Sequence, residues 1–166
     1  MVEKKKKLLK DTALLVAGVL IGTGIGFSRI APFHKWLTMG KTGDEMGWYS
    51  EIQYYKAATP SALKAQKEYL TYLTAIEKKK SEWSQWSVPW MTEQMLDYNR
   101  AITYARIAIL EEREGRAAEA NKSWLEAEKS ATAARWKTPS KGQILKVLAT
   151  QEAEFKKAEE GVQPRP

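Results

Sequence analysis

An uncharged apolar run near the N-terminus constrains this chain more than any other feature. Residues 12–28 read TALLVAGVLIGTGIGFS and carry no charged side chain. A helix rising about 1.5 Å per residue would extend roughly 25 Å over this run, close to the thickness of a membrane's hydrocarbon core. Leu8 and Leu9 can lengthen it, with the Lys10 ammonium group reaching the headgroups. The run predicts a single-pass transmembrane helix.

Charged and aromatic residues flank the run as in a membrane anchor. Five lysines precede it, and it is followed by Arg29, Lys35 and Lys41. Because cytoplasmic flanks carry the excess of basic residues, we expect a cytoplasmic N-terminus, with the C-terminal part on the outer side of a bacterial inner membrane. An aromatic interfacial collar is formed by Phe33, Trp36 and Leu37. We expect lipid contact through residues 8–37.

Two other interpretations of the run stay open. A cleaved signal peptide shares the basic start and the apolar stretch, and Gly24-Ile25-Gly26 offers a small-x-small site, which would leave a secreted helical domain. The run is longer than the roughly 7–15 apolar residues of most signal peptides, which favours an anchor. The third interpretation is a buried core helix.

Glycines recur every fourth residue within the run, at Gly18, Gly22 and Gly26. On a helix they share one face, and small residues at this spacing let two transmembrane helices approach closely. Lateral helix–helix association through this face is a prediction.

The composition excludes several kinds of site. The chain has no cysteine and one histidine, His34, so disulfides, thiolate zinc sites and paired-imidazole sites are excluded. Basic and acidic residues are interspersed despite the net charge of +7, which argues against a nucleic-acid partner. Glu111 to Glu114 form a charge run that we interpret as solvated. We expect no catalytic residue, no cofactor and no metal ion, and we expect that the protein is not an enzyme.

Apolar periodicity predicts helices throughout the rest of the chain. We expect a linker at 38–44, a helical domain at 45–160 and a flexible tail at 161–166, behind the N-terminal region 1–37. The third helix has a stripe that includes Met95, Ile102 and Ile109, and it should stop at Gly115, a C-cap residue. Two further helices follow, the last one starting at Ser140.

One helix–turn–helix stretch resembles a tetratricopeptide repeat, whose length of 34 residues equals that of the stretch 101–134. The matching positions are Tyr104, Ile107 and Ala108 in the first helix, Gly115 in the turn, and Ala120, Trp124 and Ala127 in the second helix. Glu111 stands where the repeat usually has an aromatic residue, and the terminal proline comes late, at Pro139. The resemblance implies that small residues let the two helices approach closely, with Trp124 filling the gap.

The resemblance extends to an architecture. Residues 46–82 are candidates for a second, less regular helical pair, and the helix from Ser140 would cap the open end. The predicted fold is therefore all-α: a single transmembrane helix followed by an antiparallel, tetratricopeptide-like array of about five helices. A generic antiparallel bundle is the alternative.

Three tryptophans, Trp83, Trp86 and Trp90, lie within eight residues. Pro89 interrupts a helix at this point, which predicts a corner between two helices, the second one starting near Pro89. We expect Trp83 and Trp90 to pack into cores and Trp86 to be the exposed aromatic.

These features favour a membrane-anchored scaffold that binds other protein subunits, as a non-catalytic part of a membrane or cell-envelope complex. The alternative is an envelope module that binds glycans through exposed aromatic rings, since the chain has seven tryptophans and seven tyrosines.

Overall fold

Five α-helices make up the part of the chain that the structure describes. The computed structural model describes residues 38–83 and 92–161. The helices are α1 (38–56), α2 (Thr59–Trp83), α3 (Glu93–Arg113), α4 (Ala117–Ala133) and α5 (Lys141–Gly161). No strand occurs in these two ranges, so the predicted all-α class is confirmed for them.

Several predictions fall outside the described residues. They concern the transmembrane run 12–28, the collar, the face of Gly18, Gly22 and Gly26, the exposure of Trp86, and the tail beyond Gly161. Among the helices of 38–83 and 92–161, none is long and apolar enough to cross a membrane.

Contacts divide the chain into two units, Met1–Asp44 and Glu45–Pro166. In the first unit, residues 38–44 are helical, where the sequence predicted a linker. The hydroxyl of Thr42 donates to the Thr38 carbonyl at 2.8 Å, one helical turn back. Glycine inside a helix costs only about 0.5–1 kcal/mol, so Gly40 and Gly43 do not suffice to break it.

Helices α3 and α4 form an antiparallel hairpin around a three-residue turn. Near the turn, the Ser123 hydroxyl donates to the Glu111 carboxylate at 2.8 Å. At the far end, the Gln94 amide donates to the Ala134 carbonyl at 3.1 Å. Pairs at both ends fix the antiparallel direction.

Helix α2 packs antiparallel to α3 in the same way. Arg100 forms a bidentate ion pair with Glu77, and one of its two hydrogen bonds measures 2.9 Å. At the opposite end, the Lys67 ammonium group lies 3.5 Å from the Glu111 carboxylate. Helix α3 is therefore the centre of a three-helix layer.

Helix α1 pairs with α2 at close range. The Gln66 amide, fully buried, donates to the Ser50 carbonyl at 2.6 Å. A Cβ atom on Gly47 would lie 3.1 Å from the hydroxyl oxygen of Tyr69. A missing side chain at Gly47 and a small one at Ser50 thus allow the two helices to approach closely.

Two apolar clusters hold these helices together. The larger one joins α3, α4 and α5 through Ala101, Ile102, Ala105, Ala108, Trp124, Ala127, Ala131, Ile144 and Leu148. The smaller one joins α2 and α3 through Ala62, Leu63, Ile107 and Leu110. The alanines at the centre of the larger cluster leave room for neighbouring helices to approach, as small residues do in any close helix packing.

Helices α3 and α4 end in the same type of cap. After α3, the amide of Gly115 donates to the Glu112 carbonyl and that of Arg116 to the Glu111 carbonyl, at 3.0 and 2.9 Å. After α4, Arg135 and Trp136 repeat both bonds, at 2.9 and 3.0 Å. This is the Schellman arrangement, whose left-handed residue is usually glycine. Gly115 has φ of 72°, whereas Arg135, with φ of 61°, adopts it with a side chain.

The start of α3 differs from the prediction. Helix α3 begins at Glu93 and not near Pro89, because the Thr92 hydroxyl accepts from the Met95 amide at 3.1 Å and caps the helix. Met95, expected in the apolar stripe, is 46% exposed, and its neighbour Leu96 is buried in its place.

Candidate functional site

The residues that resemble the tetratricopeptide motif lie on both sides of α3. Ala108, Trp124 and Ala127 are buried together in the larger cluster, with Tyr104 packed against it. Ala120 is buried as well, and Gly115 lies in the turn between the helices. Ile107 points to the other side and belongs to the smaller cluster with Leu63. These positions build the frame, and none of them forms an open site.

Glu111 is not a solvated residue, contrary to the sequence interpretation. It is 3% exposed, and its carboxylate accepts from the Ser123 hydroxyl at 2.8 Å and lies 3.5 Å from Lys67. A buried carboxylate needs such partners because it has lost its hydration. Glu111 therefore joins α2, α3 and α4 at the position where the repeat usually has an aromatic residue.

A buried arginine forms the centre of a second polar cluster, where α1, α3 and α5 meet. Arg106 is 6% exposed. Its Nη2 atom donates to the Glu51 carboxylate of α1 at 2.6 Å and to the Gln151 amide oxygen of α5 at 3.2 Å. Gln151 in turn donates to the Tyr98 hydroxyl at 3.3 Å. A single guanidinium group thus links three helices.

Tyrosine rings of α1 enclose this guanidinium group. Its central carbon lies 5.2 Å from the ring centre of Tyr54 and 5.6 Å from that of Tyr55, within the range of cation–π attraction. Burial raises the pKa of Tyr54, Tyr55 and Tyr98, because a phenolate would lose hydration there. The neutral phenols therefore persist to higher pH than usual. We call the surface formed by Glu51, Tyr54, Tyr55, Tyr98 and Arg106 the α1–α3 face.

The N-terminal end of α5 is fastened to the α3–α4 hairpin. The Glu112 carboxylate accepts from the Lys141 ammonium group at 2.8 Å and from the Trp124 indole at 2.9 Å. The same ammonium group lies 4.5 Å from the Trp124 ring centre. These two hydrogen bonds lower the pKa of Glu112. The backbone amide of Lys141 donates to Glu128 at 2.8 Å, which satisfies one free donor at the helix start.

The C-terminal end of α5 lies on α1. The Phe155 ring centre is 4.6 Å from that of Tyr55 and 6.2 Å from that of Trp48. Glu159 forms an ion pair with Lys56. Helix α5 thus starts beside α3 and α4 and ends on α1, and it covers the α1–α3 face. A helix that only capped the open end of an array would not reach α1.

The arrangement is suited to binding a helix. It offers a buried guanidinium group for a polar side chain, tyrosine rings for an aromatic one, and Lys56 for a carboxylate, and in this structure α5 supplies all three. Within 38–83 and 92–161, no three His, Asp or Glu side chains are grouped so that they could hold a metal ion.

Sequence reasoning did not identify Arg106. The sequence does mark this residue, because Arg106 is the single charged residue in the run AITYARIAIL from Ala101 to Leu110. A charge inside an apolar stretch of a central helix implies a buried partner. That partner, Glu51, lies 55 residues away in the chain.

The described tryptophans differ in exposure. Trp124 is buried and Trp136 packs against the larger cluster, whereas Trp48 is 57% exposed beside Phe155.

Compared with known proteins, the chain matches no protein-family model, no curated protein and no solved structure.

Proposed function

We propose that the protein is a membrane-anchored helical scaffold that binds another protein as a non-catalytic subunit or adaptor of a membrane or cell-envelope complex. The observation that supports partner binding is the α1–α3 face, because its charged and aromatic groups already bind one helix, α5. The tetratricopeptide-like pairing of α3 and α4 is part of this proposal.

The anchor is proposed from the sequence. The uncharged run 12–28 and its lysine-rich flank favour a single-pass helix with a cytoplasmic N-terminus, and the helical domain then lies on the outer side. Anchoring raises the local concentration of the domain at the membrane, which strengthens weak contacts with other membrane proteins. Lateral pairing through Gly18, Gly22 and Gly26 would place two helical domains side by side and so double the number of partner-binding faces.

Topology and retention can be tested in intact cells. We expect protease added to cells with a permeabilised outer membrane to digest the helical domain. Mass spectrometry of the undigested protein should give a mass that includes residues 1–28. A paired variant, Leu15→Arg with Val19→Arg, should leave the membrane fraction, since each arginine at mid-membrane costs about 2.5–3.5 kcal/mol on insertion scales. A mature N-terminus near Gly26 would show a cleaved signal peptide and refute the anchor.

Partner binding is tested by isolating the tagged full-length protein from detergent-solubilised native membranes after cross-linking in cells. We expect one or more stoichiometric protein partners. Recovery of a lone monomer under these conditions would refute the scaffold function.

A further inference from the structure

We propose that α5 is an exchangeable occupant of the α1–α3 face, and that a helix of the partner protein with the same side-chain pattern takes its place. This inference rests on the proposed function and names the binding face and the class of partner. The partner helix carries apolar residues at the spacing of Ile144, Leu148 and Phe155, a polar side chain at the position of Gln151, and a carboxylate near its C-terminal end.

The first support is the small apolar contribution of α5. Of its 21 residues, the buried apolar ones are Ile144, Leu148 and Phe155. Helix α3, of equal length, has seven buried apolar residues and packs on both sides. Local opening of a protein involves elements with few buried apolar contacts, so α5 should open before α3.

The second support is the weakness of the polar contacts that the C-terminal half of α5 makes. Gln151 accepts from Arg106 through one bond of 3.2 Å, and its own donor bond to Tyr98 measures 3.3 Å. Both are at the long end for hydrogen bonds. Lys56 and Glu159 are about half exposed, so water can hydrate both charges when their ion pair breaks.

The third support is that the α1–α3 face keeps partners when α5 leaves. Arg106 remains paired with Glu51 at 2.6 Å, and Tyr54 packs against the α2–α3 cluster. The Nε atom of Arg106 is buried without a hydrogen-bond acceptor among the described residues. Arg106 and Tyr54 thus keep contacts that do not depend on α5.

Charge complementarity defines the partner further. Lys56, Arg106 and Arg113 lie around the α1 side of the face, where Arg113 is 5.8 Å from the Tyr54 ring centre. The C-terminal half of α5 carries four glutamates, at 152, 154, 159 and 160, and two lysines, Lys156 and Lys157, so it has an excess of negative charge. A partner helix that competes with α5 is therefore acidic towards its C-terminal end.

The test uses the full chain in detergent and a fluorescent synthetic peptide of residues 140–161. Because the chain has no cysteine, Lys56→Cys with Glu159→Cys can be joined by a short bis-maleimide that fastens α5 to α1. The matched control joins Glu152→Cys and Lys156→Cys, an ion pair within α5, and leaves α5 free to move.

We expect the peptide to bind the uncross-linked protein and the control equally. The α5–α1 cross-link should lower binding at least tenfold, and Phe155→Ala in the protein should raise it several-fold by weakening the internal competitor. A peptide that carries Phe155→Ala should bind weakly to all forms. Amide exchange should be faster in α5 than in α3.

Two results would overturn the inference. One is peptide binding that is absent in the Phe155→Ala protein or unaffected by the α5–α1 cross-link. The other is a dimer in which two copies exchange α5, which would make a second copy the occupant. If cross-linked protein still captures its partner from native membranes, this inference fails while the scaffold function stands. If the peptide exchanges but no partner is recovered from those membranes, the scaffold function fails while the exchange of α5 stands.

Discussion

Replacing Arg106 by methionine tests whether this side chain holds α1, α3 and α5 together. Methionine has a similar length and fills most of the space, so the change removes the charge with little cavity. Arg106 is 7% exposed at its side chain and Glu51 is 25% exposed. Removing one partner of a buried ion pair costs about 3–5 kcal/mol.

The expected cost is somewhat smaller, because a quarter of the Glu51 side chain already contacts water and stays hydrated. The loss of attraction to the rings of Tyr54 and Tyr55 adds about 0.5–1 kcal/mol each, part of which methionine recovers by packing on the same rings. We therefore expect a loss of about 2–4 kcal/mol, a large share of the roughly 5–15 kcal/mol that stabilises a typical domain.

Arg100→Met is the matched control on the same helix. Arg100 also forms an ion pair, but its partner Glu77 is 51% exposed, and pairs of this kind contribute about 0–1 kcal/mol. Urea unfolding followed by circular dichroism measures both variants. With a slope of about 2 kcal/mol per molar urea, the midpoint for Arg106→Met should fall by about 1–2 M.

A double-mutant cycle with Glu51→Gln isolates the Arg106–Glu51 pair from other effects of the change. We expect a coupling free energy of about 1–2 kcal/mol for the pair. If Arg106→Met costs no more than Arg100→Met, or if the coupling is zero, the reasoning from burial is wrong.

Three further predictions concern caps and titration. Gly115→Ala should lower the free energy of unfolding by about 1 kcal/mol, because left-handed backbone costs a non-glycine residue about 1–2 kcal/mol and the lower entropy of the unfolded alanine chain offsets part of that cost. Arg135→Gly should stabilise the protein by up to about 1 kcal/mol for the opposite reason. Urea unfolding measures both variants, and effects of the same sign would contradict the cap analysis. Since the folded pKa of Glu112 lies below the ordinary 4.5, its stabilising effect is present above pH 4.5 and is lost as pH falls through the folded pKa. The melting temperatures of wild type and Glu112→Gln should therefore converge in acid. A difference that stays constant with pH would contradict this prediction. Because the folded pKa values of Tyr54 and Tyr98 lie above the ordinary 10.0, their stabilising effect is lost as pH rises from 10 through the folded pKa values. Tyrosinate absorbance should therefore rise at higher pH in folded than in urea-unfolded protein. Titration curves that coincide would refute the burial of these phenols.

Local sequence signals predicted the helices reliably. The small residues of α4 recur about one turn apart, and the glycine after α3 lies directly at the helix end, so periodicity and capping rules identify them without knowledge of the fold. The start of α3 was misplaced because the cap at Thr92 competes with the proline signal at Pro89, and the hydroxyl–amide bond at Thr92 begins the helix.

Charged residues were harder to interpret. Glu111 stands in a run of charges, and that pattern is usually solvated, yet Lys67 and Ser123 approach it from two other helices and bury it. Nothing within one helical turn distinguishes Glu111 from the more exposed Glu112. Burial of a charge depends on partners that are distant in the chain, so it can be seen only after the helices pack.

The sequence by itself determined the helical class, the order of the helices, the turn at Gly115 and the apolar run that predicts an anchor, since each of these depends on residues a few positions apart. Only the tertiary structure decided which helices α5 packs against. Helix α5 reads in sequence as an ordinary amphipathic segment, but its contacts with Arg106 and Tyr55 place it over α1 and α3. Those contacts join residues that are 45 and 100 positions apart, and their geometry follows from how five helices fill space together.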